Sequence, residues 1–485
     1  MEVRVFSTAP FDKFRRRAES GAMSETDHRA PHDGDFLGAE ALTSERMEAV
    51  AAAIAAADKP ALLAEIAEFH ESDVAEMIAL LPPDARAAFT RLVGADIPAA
   101  VFAELDEGVR DEVVEHLDLE TLIATIQALE SDDAVGVLED VDLSERAEIL
   151  ERIPETDRLV LERSLDFPED SAGRLMQSGF VAVPPYWTVG RTIDHLRETE
   201  DLPDSFLEII IVDPMHKPVG VVKLDRILRT QRPVAVGDVI DADFTLIPAT
   251  TDREEVARLF ERYNLVSAAV VDENQRMLGV ITADDVIEVI ADEAGEDILL
   301  LGGVGDEAVT DTVLRAARGR FSWLFVNLAT AIAASVVIAL FDASIEQMVA
   351  LAILMPIVAS MGGNAGTQTL TITVRSLATQ DIIPLNARRA IYRELGIGFI
   401  NGAAFAAIVG LVGAFWFDDV PLGVVLAAAM IANMVVAAAA GILVPIGLHR
   451  ARIDPAVASG VFVTTVTDVI GFFAFLGFAT IFLLA

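Results

Sequence analysis

Apolar and polar positions fall into three regimes along the chain. From residue 44 to 165 apolar residues recur at three- and four-residue spacing, interrupted by acidic or Pro stretches, which predicts short stacked helices. HESDVAEMIALLPPDARAAF (70–89) is echoed loosely by LDLETLIATIQALESDDAVGVL (117–138), as expected of a small superhelical domain. From 172 to 291 strand and helix patterns alternate, and one unit occurs twice. LEIIIVDPMHKPVGVVKLDRIL (207–228) predicts strand, turn, strand and helix, and VSAAVVDENQRMLGVITADDVIEVI (266–290) repeats it. A strand and helix precede each copy, in FVAVPPYWTVGRTIDHLRE (180–198) and FTLIPATTDREEVARLFERY (244–263). The third regime holds charge-free runs at 321–341, 347–374, 395–417 and 420–448, then 455–485 with one charge, Asp468. Each run exceeds the roughly 18–20 residues that cross a bilayer core, so five transmembrane helices are expected.

The basic residues orient these spans. Arg318 and Arg320 precede the first; Arg388, Arg389 and Arg393 lie between the second and third, and Arg450 and Arg452 between the fourth and fifth. The other two connections, around 341–346 and 417–420, carry no Lys or Arg. The positive-inside rule then puts residues 1–318 in the cytoplasm and the C-terminus outside, in a multi-pass protein of the cell membrane.

Composition sharpens this division. The hydrophobic fraction is 53%, mean hydropathy is +0.45 and the formal charge is −40. Residues 319–485 hold eight acidic and seven basic residues, so nearly all the excess lies in residues 1–318. Divalent-cation sites are one explanation. Adaptation to a salty cytoplasm is the other, and Lys at 13, 59, 217 and 223 only, with Arg elsewhere, favours a halophile. The charge argues against nucleic acid as a partner. With no cysteine, disulfides and thiolate chemistry are excluded. The N-terminal stretch lacks the apolar core of a secretory signal, Met23 is an alternative start, and residues 1–43 are expected to be disordered.

Three places carry candidate chemistry. Asp468 is a carboxylate at membrane depth, which costs several kcal/mol unless it faces water, a partner or an ion. In the second span Gly362, Gly363 and Gly366 let backbones approach, or let the helix break and expose carbonyls. Beside them Asn364, Thr367 and Gln368, with Thr464, Thr465 and Thr467 of the fifth span, offer neutral oxygens suited to a hydrated hard cation. The third is DDVIEVIADEAGEDILLL (284–301), where Asp285, Glu288, Asp292, Glu293, Glu296 and Asp297 crowd one or two faces of a helix. Like charges at this spacing repel, and a bridging cation or a salty solvent relieves them. Asp132 and Asp133 start a helix and read as N-terminal capping groups.

MGGNAGTQTLTITVRSLA (361–378) and DPAVASGVFVTTVTDVIGF (454–472) resemble the second and fifth spans of MgtE-type magnesium channels, and the doubled unit resembles a tandem CBS pair. The likeness covers residues 44–485 and implies a multidomain fold. Its parts are a disordered segment 1–43, a helical domain 44–170, α/β CBS domains 171–235 and 236–297, a connecting helix 298–318 and an all-α pore domain 319–485. It implies a homodimer with a pore between subunits, lined by the second and fifth spans, with Asp468 as pore carboxylate. Regulatory Mg²⁺ sites fall by local match on Asp252, Glu254, Asp285, Glu288, Glu293, Glu296, Asp297 and Asp454, and ATP is a candidate ligand of the CBS pair. Three positions depart from the family pattern. Val461 replaces a proline, so the start of the fifth span is expected to be straighter, and Asn264 and Gly136 stand where acidic ligands are expected.

The expected activity is Mg²⁺ import down the membrane potential, closed by cytoplasmic Mg²⁺ that draws the acidic domains together and holds the 306–318 helix against the pore. No P-loop is present. A CBS-regulated secondary transporter of Co²⁺ or Ni²⁺, an anion channel and a membrane-surface enzyme are the rivals. The spans contain no anion-binding basic group beyond Arg375 near one end, and neither a Ser/His/Asp set nor a His pair, so no enzyme is expected.

Overall fold

The computed structural model describes residues 42–484 apart from 68, 200–201, 204 and 305–312. The expected disordered segment lies, up to residue 41, outside the described residues.

The N-terminal part is a stack of short helices: α1 (Ser44–Ala56), α2 (Lys59–Ile66), α3 (Glu71–Leu80), α4 (Pro83–Val93), α5 (Ala100–Ala103), α6 (Glu107–Val114), α7 (Leu119–Ala128), α8 (Ser131–Glu139), α9 (Leu143–Arg152) and α10 (Glu155–Leu165). Local chemistry sets their starts. Thr43 Oγ1 accepts from the Arg46 amide at 3.3 Å, Asp118 Oδ1 from the Thr121 amide at 2.9 Å, and Pro83 occupies a first-turn position where no N–H is needed. The two echoing segments are helix pairs, α3–α4 and α7–α8, and their inner faces share one core around Met77, Ile78, Phe89, Phe102, Leu122 and Leu138.

The doubled unit is a structural duplicate. In one copy β1 (Ala182–Val183) runs parallel to β2 (Glu208–Val212), which pairs antiparallel with β3 (Pro218–Lys223); β4 (Leu246–Pro248), β5 (Ser267–Val271) and β6 (Met277–Thr282) repeat this. Even the irregularities coincide, with register shifts at Ile211/Val212 and Val270/Val271. The hairpin turns use the same device. Asp213 Oδ1 accepts from the amides of Met215 and Lys217, and Asp272 Oδ1 from those of Asn274 and Arg276, while His216 and Gln275 take positive φ of 60° and 62°.

Helices complete the two copies: α11 (Ala172–Leu175), α12 (Val189–Glu198), α13 (Leu224–Arg229) and α14 (Arg253–Tyr263). Each core also borrows chain from the other half. Ala172 and Met176 sit in the second core, where Gln177 pairs with Val280, and Val236 sits in the first, where Asp241 pairs with Val221.

α15 (Ala283–Leu301) continues directly from β6 and is about 28 Å long at 1.5 Å per residue. The connecting helix expected over 298–318 falls within the described residues only at 298–304 and 313–318. Residues 298–301 are the last turn of α15, which ends at Gly302 and Gly303, the latter at φ 70° where a side chain would be strained. Residues 313–318 instead open the first long apolar helix, and 305–312, the start of the expected 306–318 helix, lie outside the described residues.

Five helices are long and apolar enough to cross a membrane: α16 (Val313–Ala339), then, after short α17 (Asp342–Gln347), α18 (Ala350–Ala378), α19 (Ala387–Phe417), α20 (Val420–Arg450) and α21 (Pro455–Phe482). α20 is the most enclosed, packed by α18, α19 and α21, whereas α16 is almost wholly exposed. α21 passes uninterrupted through Val461.

Candidate functional site

The second span does not break. α18 is continuous through Gly362, Gly363 and Gly366, so these glycines serve close approach. A Cβ on Gly366 would stand 2.6 Å from Val463 and 3.5 Å from Thr467 of α21, and one on Gly441 of α20 would stand 2.7 Å from the Gly366 carbonyl. Three helices therefore meet at this level. Gly362 and Gly366 face inward, and Gly363 has nothing within 4 Å.

The opposite face of α18 is polar and exposed. Asn364, Thr367, Gln368 and Thr371 recur at three- and four-residue spacing and are all exposed in the single chain, in line with Ser360 and Arg375. Since Gly366 abuts Val463 and Thr467, the Asn364–Gln368 turn lies at about the depth of Asp468. Asp468 is half-buried and bonds no other described side chain. Thr367 donates to the Gly363 carbonyl at 2.9 Å, Thr464 to Gly460 at 2.9 Å and Thr465 to Val461 at 2.6 Å. Hydroxyls that give their protons to their own helix keep oxygen lone pairs for a third party.

The carboxylates outside the spans gather at the two ends of α15. At its start Asp285 forms a capping box: its Oδ2 accepts from the Thr282 amide at 3.2 Å, the Thr282 hydroxyl at 2.6 Å and Gln177 Nε2 at 3.4 Å. Against this turn lies the first turn of α8, whose Ser131 hydroxyl accepts from the Ser178 amide at 2.7 Å. That docking brings Asp132 and Asp133 beside Asp285 and Glu288. Desolvation first, then Asp285 and Asp133, holds Asp132 well above the usual carboxylate range, and desolvation with Asp285, Glu130 and Glu288 pushes Asp133 up to about 7. Asp285 and Glu288 are raised too, chiefly by desolvation. Asp132 Oδ1 is buried without a hydrogen-bond partner.

Reading Asp132 and Asp133 as capping groups therefore misses them. Neither caps α8, and only the docking of a second domain, invisible in local spacing, reveals their company. Arg110 is a second omission. Its guanidinium stands 3.4 Å from where a Cβ on Gly136 would be, its Nε bonds Asp140 Oδ2 at 2.6 Å, and its charge works against the upward shifts of Asp133 and Glu288.

At the membrane end the company is different. Asp252 caps α14, its Oδ1 accepting from the Glu254 amide at 3.0 Å, and Asp454 caps α21, accepting from Ala456 at 2.8 Å. Glu254 is pushed to about 7 by desolvation, Glu293, Asp252, Asp297 and Asp454, and Asp297 is raised by desolvation and Asp454. Glu296 is raised as well, mainly by desolvation and Glu293. Arg253 lies among them, its Nε 2.6 Å from Glu293 and 3.3 Å from Asp170, and Nη2 3.5 Å from Glu296. Asn264 ends α14 in the left-handed conformation (φ 50°, ψ 49°) that Asn tolerates, so its place is conformational. Just beyond this cluster Leu300 and Leu301 pack on Ala456, Val463, Leu370 and Val374, coupling α15 to the C-terminal part of α18 and the N-terminal part of α21.

Among the described residues no three His, Asp or Glu side chains converge closely enough to hold a bare metal ion. The donors are all oxygen, with one orphaned buried oxygen, which suits a hard cation that keeps part of its water.

Known proteins agree with this layout. Residues 355–478 match the family model MgtE, a divalent cation transporter; 69–170 match the MgtE intracellular N domain, and 236–292 a CBS domain. The magnesium transporter MgtE of Bacillus subtilis is 28% identical over 419 residues, 86% of this chain and 93% of that protein. That of Thermus thermophilus is 32% identical over 333 residues, covering 67% and 73%. Among solved structures, the cytosolic domain of the Mg²⁺ channel MgtE in complex with ATP matches 50% of this chain and 99% of its own at 26% identity, with a TM-score of 0.46. The combination of domains, spans and motif-bearing helices places the chain in the MgtE family.

Proposed function

We propose that the chain is a homodimeric magnesium channel of the cell membrane, importing Mg²⁺ down the membrane potential and closing when cytoplasmic Mg²⁺ binds its carboxylates. One observation carries the reading: a membrane-spanning helix exposes Asn364, Thr367, Gln368 and Thr371 in one stripe, level with the Asp468 carboxylate. Bare lipid is a poor environment for such a stripe, whereas a water-filled passage against a second copy of α18 and α21 suits it. Mg²⁺ dehydrates reluctantly, so its shell waters would donate to the threonine and amide oxygens while Asp468 supplies charge. Inward passage of a divalent ion gains about 4.6 kcal/mol per 100 mV, enough to drive import unaided. The arginines beside the spans support a cytoplasmic N-terminal half and an external C-terminus.

Closure follows from the two carboxylate groups. An ion shared by Asp132, Asp133, Asp285 and Glu288 would hold the helical domain on α15. One near Glu254, Glu293, Glu296, Asp297, Asp252 and Asp454 would hold α15 on the foot of α21, where Leu300 and Leu301 already pack. Without ions the like charges repel and the contacts loosen. ATP binding to the CBS pair is part of the proposal through the likeness to that module, and calorimetry on the full chain checks it. Oxygen-only donors also admit Co²⁺ or Ni²⁺, so competition by these ions belongs in the assay. The test is Mg²⁺ uptake into proteoliposomes held inside-negative. The native chain should take up Mg²⁺ and Asp468→Ala should not; equal uptake by both would remove Asp468 from the path.

A further inference from the structure

Asn433 lies at the centre of the membrane bundle on α20, a helix with no part in the passage described above. Its side chain is 0% exposed. Nδ2 donates to the Val358 carbonyl of α18 at 2.8 Å, and Oδ1 is buried without a partner. Two glycines make room for this amide, one on each helix assigned to the ion path. A Cβ on Gly362 of α18 would overlap it, and one on Gly471 of α21 would stand 2.7 Å from Nδ2 and 3.0 Å from Cγ. The amide is thus clasped between two bare backbones.

An amide with one unsatisfied oxygen is a poor choice for apolar packing alone, since leucine fills similar space without the desolvation cost. What apolar packing cannot supply is depth. Small-residue faces in lipid fit at several heights, whereas a single buried Asn selects one register in helical assemblies. One slipped turn would move α18 by about 5.4 Å along its axis. That slip would carry Asn364 and Gln368 past the level of Asp468.

We propose that Asn433 is a positioning residue that sets the depth of α18 against α21, and so the alignment of the Asn364–Gln368 turn with the Asp468 carboxylate that discriminates among ions. This rests on the channel reading above. Misalignment changes the spacing of oxygens around a hydrated ion, so it alters the choice between Mg²⁺ and the larger Ca²⁺ as well as total flux.

The experiment compares Mg²⁺ and Ca²⁺ uptake in proteoliposomes holding the native chain, Asn433→Leu, Gly471→Ala or Asp468→Ala. Asn433→Leu removes the amide at similar volume; Gly471→Ala keeps the amide and displaces it. Both should change the Mg²⁺/Ca²⁺ uptake ratio by about fivefold, equivalent to roughly 1 kcal/mol, with size-exclusion behaviour like the native chain. A residue that serves packing alone would scale both fluxes together. A ratio within about twofold of native in both variants overturns the proposal, whatever the total flux. If Asn433→Leu does not fold, Gly471→Ala decides. If the native chain carries neither ion, the channel reading fails and this inference falls with it. If the native chain carries Mg²⁺, Asp468→Ala does not, and the ratio holds in both variants, the depth-setting role alone is lost.

Discussion

The two ends of α15 gather carboxylates in different ways. At the membrane end Arg253 reaches Glu293, Glu296 and Asp170, so part of the repulsion is already neutralised by a fixed cation. At the other end Arg110 stands to one side, committed to Asp140, and Asp132 keeps a buried oxygen with no partner. The membrane end is thus held to its CBS core by the chain itself, and what it lacks is a link to Asp454 on α21. At the domain-facing end the one ion pair between the two separately folded parts among those described, Arg174 with Glu139, sits at the far end of α8 from Asp132 and Asp133. An added divalent ion accordingly does more work there, because Arg110, held by Asp140, offsets only part of the repulsion between the domains.

The largest effect should come from emptying the domain-facing end. Replacing Asp132, Asp133 and Asp285 together by Ala should raise the Mg²⁺ concentration needed to protect the N-terminal soluble half from proteolysis by about tenfold or more, roughly 1.4 kcal/mol. Protection at an unchanged midpoint would mean these carboxylates are solvated surface. Next, Arg253→Gln should lower the melting temperature in EDTA, costing about 1–2 kcal/mol, and saturating Mg²⁺ should recover much of the loss. No change in EDTA would show the two ends to be alike.

The pH dependence is a subtler discriminator. Asp133 and Glu254 each titrate near pH 7 when folded, against ordinary values of 3.8 and 4.5. Between those limits the folded chain binds more protons than the unfolded chain, so stability falls as pH rises through about 7 and is greatest below about 4. Melting in EDTA should therefore be higher near pH 6 than near pH 8, and Mg²⁺ should flatten the difference. A pH-independent melt in EDTA would count against both clusters. The smallest effect belongs to the exposed Glu296, where replacement by Gln should change stability by about 0.5 kcal/mol or less. A larger loss would make that carboxylate part of the junction.

Patterns carried by a single element were legible in the sequence. Five apolar runs became five helices because lipid forces each to satisfy its own backbone, and the doubled hairpins were visible because Asp213 and Asp272 build the same turn. What escaped depends on contacts between distant parts. Asp132 and Asp133 look like a helix start until α15 docks on them, and Asn433 is one polar residue in an alanine-rich run until Gly362 and Gly471 enclose it. Where α15 stops was, by contrast, a contact-free, local matter: the apolar run at 298–301 ends at Gly302–Gly303, so α15 takes that turn.

The most direct test is Mg²⁺ flux through the reconstituted native chain while Mg²⁺ is varied only on the side of the N-terminal soluble domains. Flux should decline as that concentration rises, and the decline should weaken when Asp132, Asp133 and Asp285 are replaced by Ala. Flux that ignores Mg²⁺ on that side, in the native chain, would contradict the account.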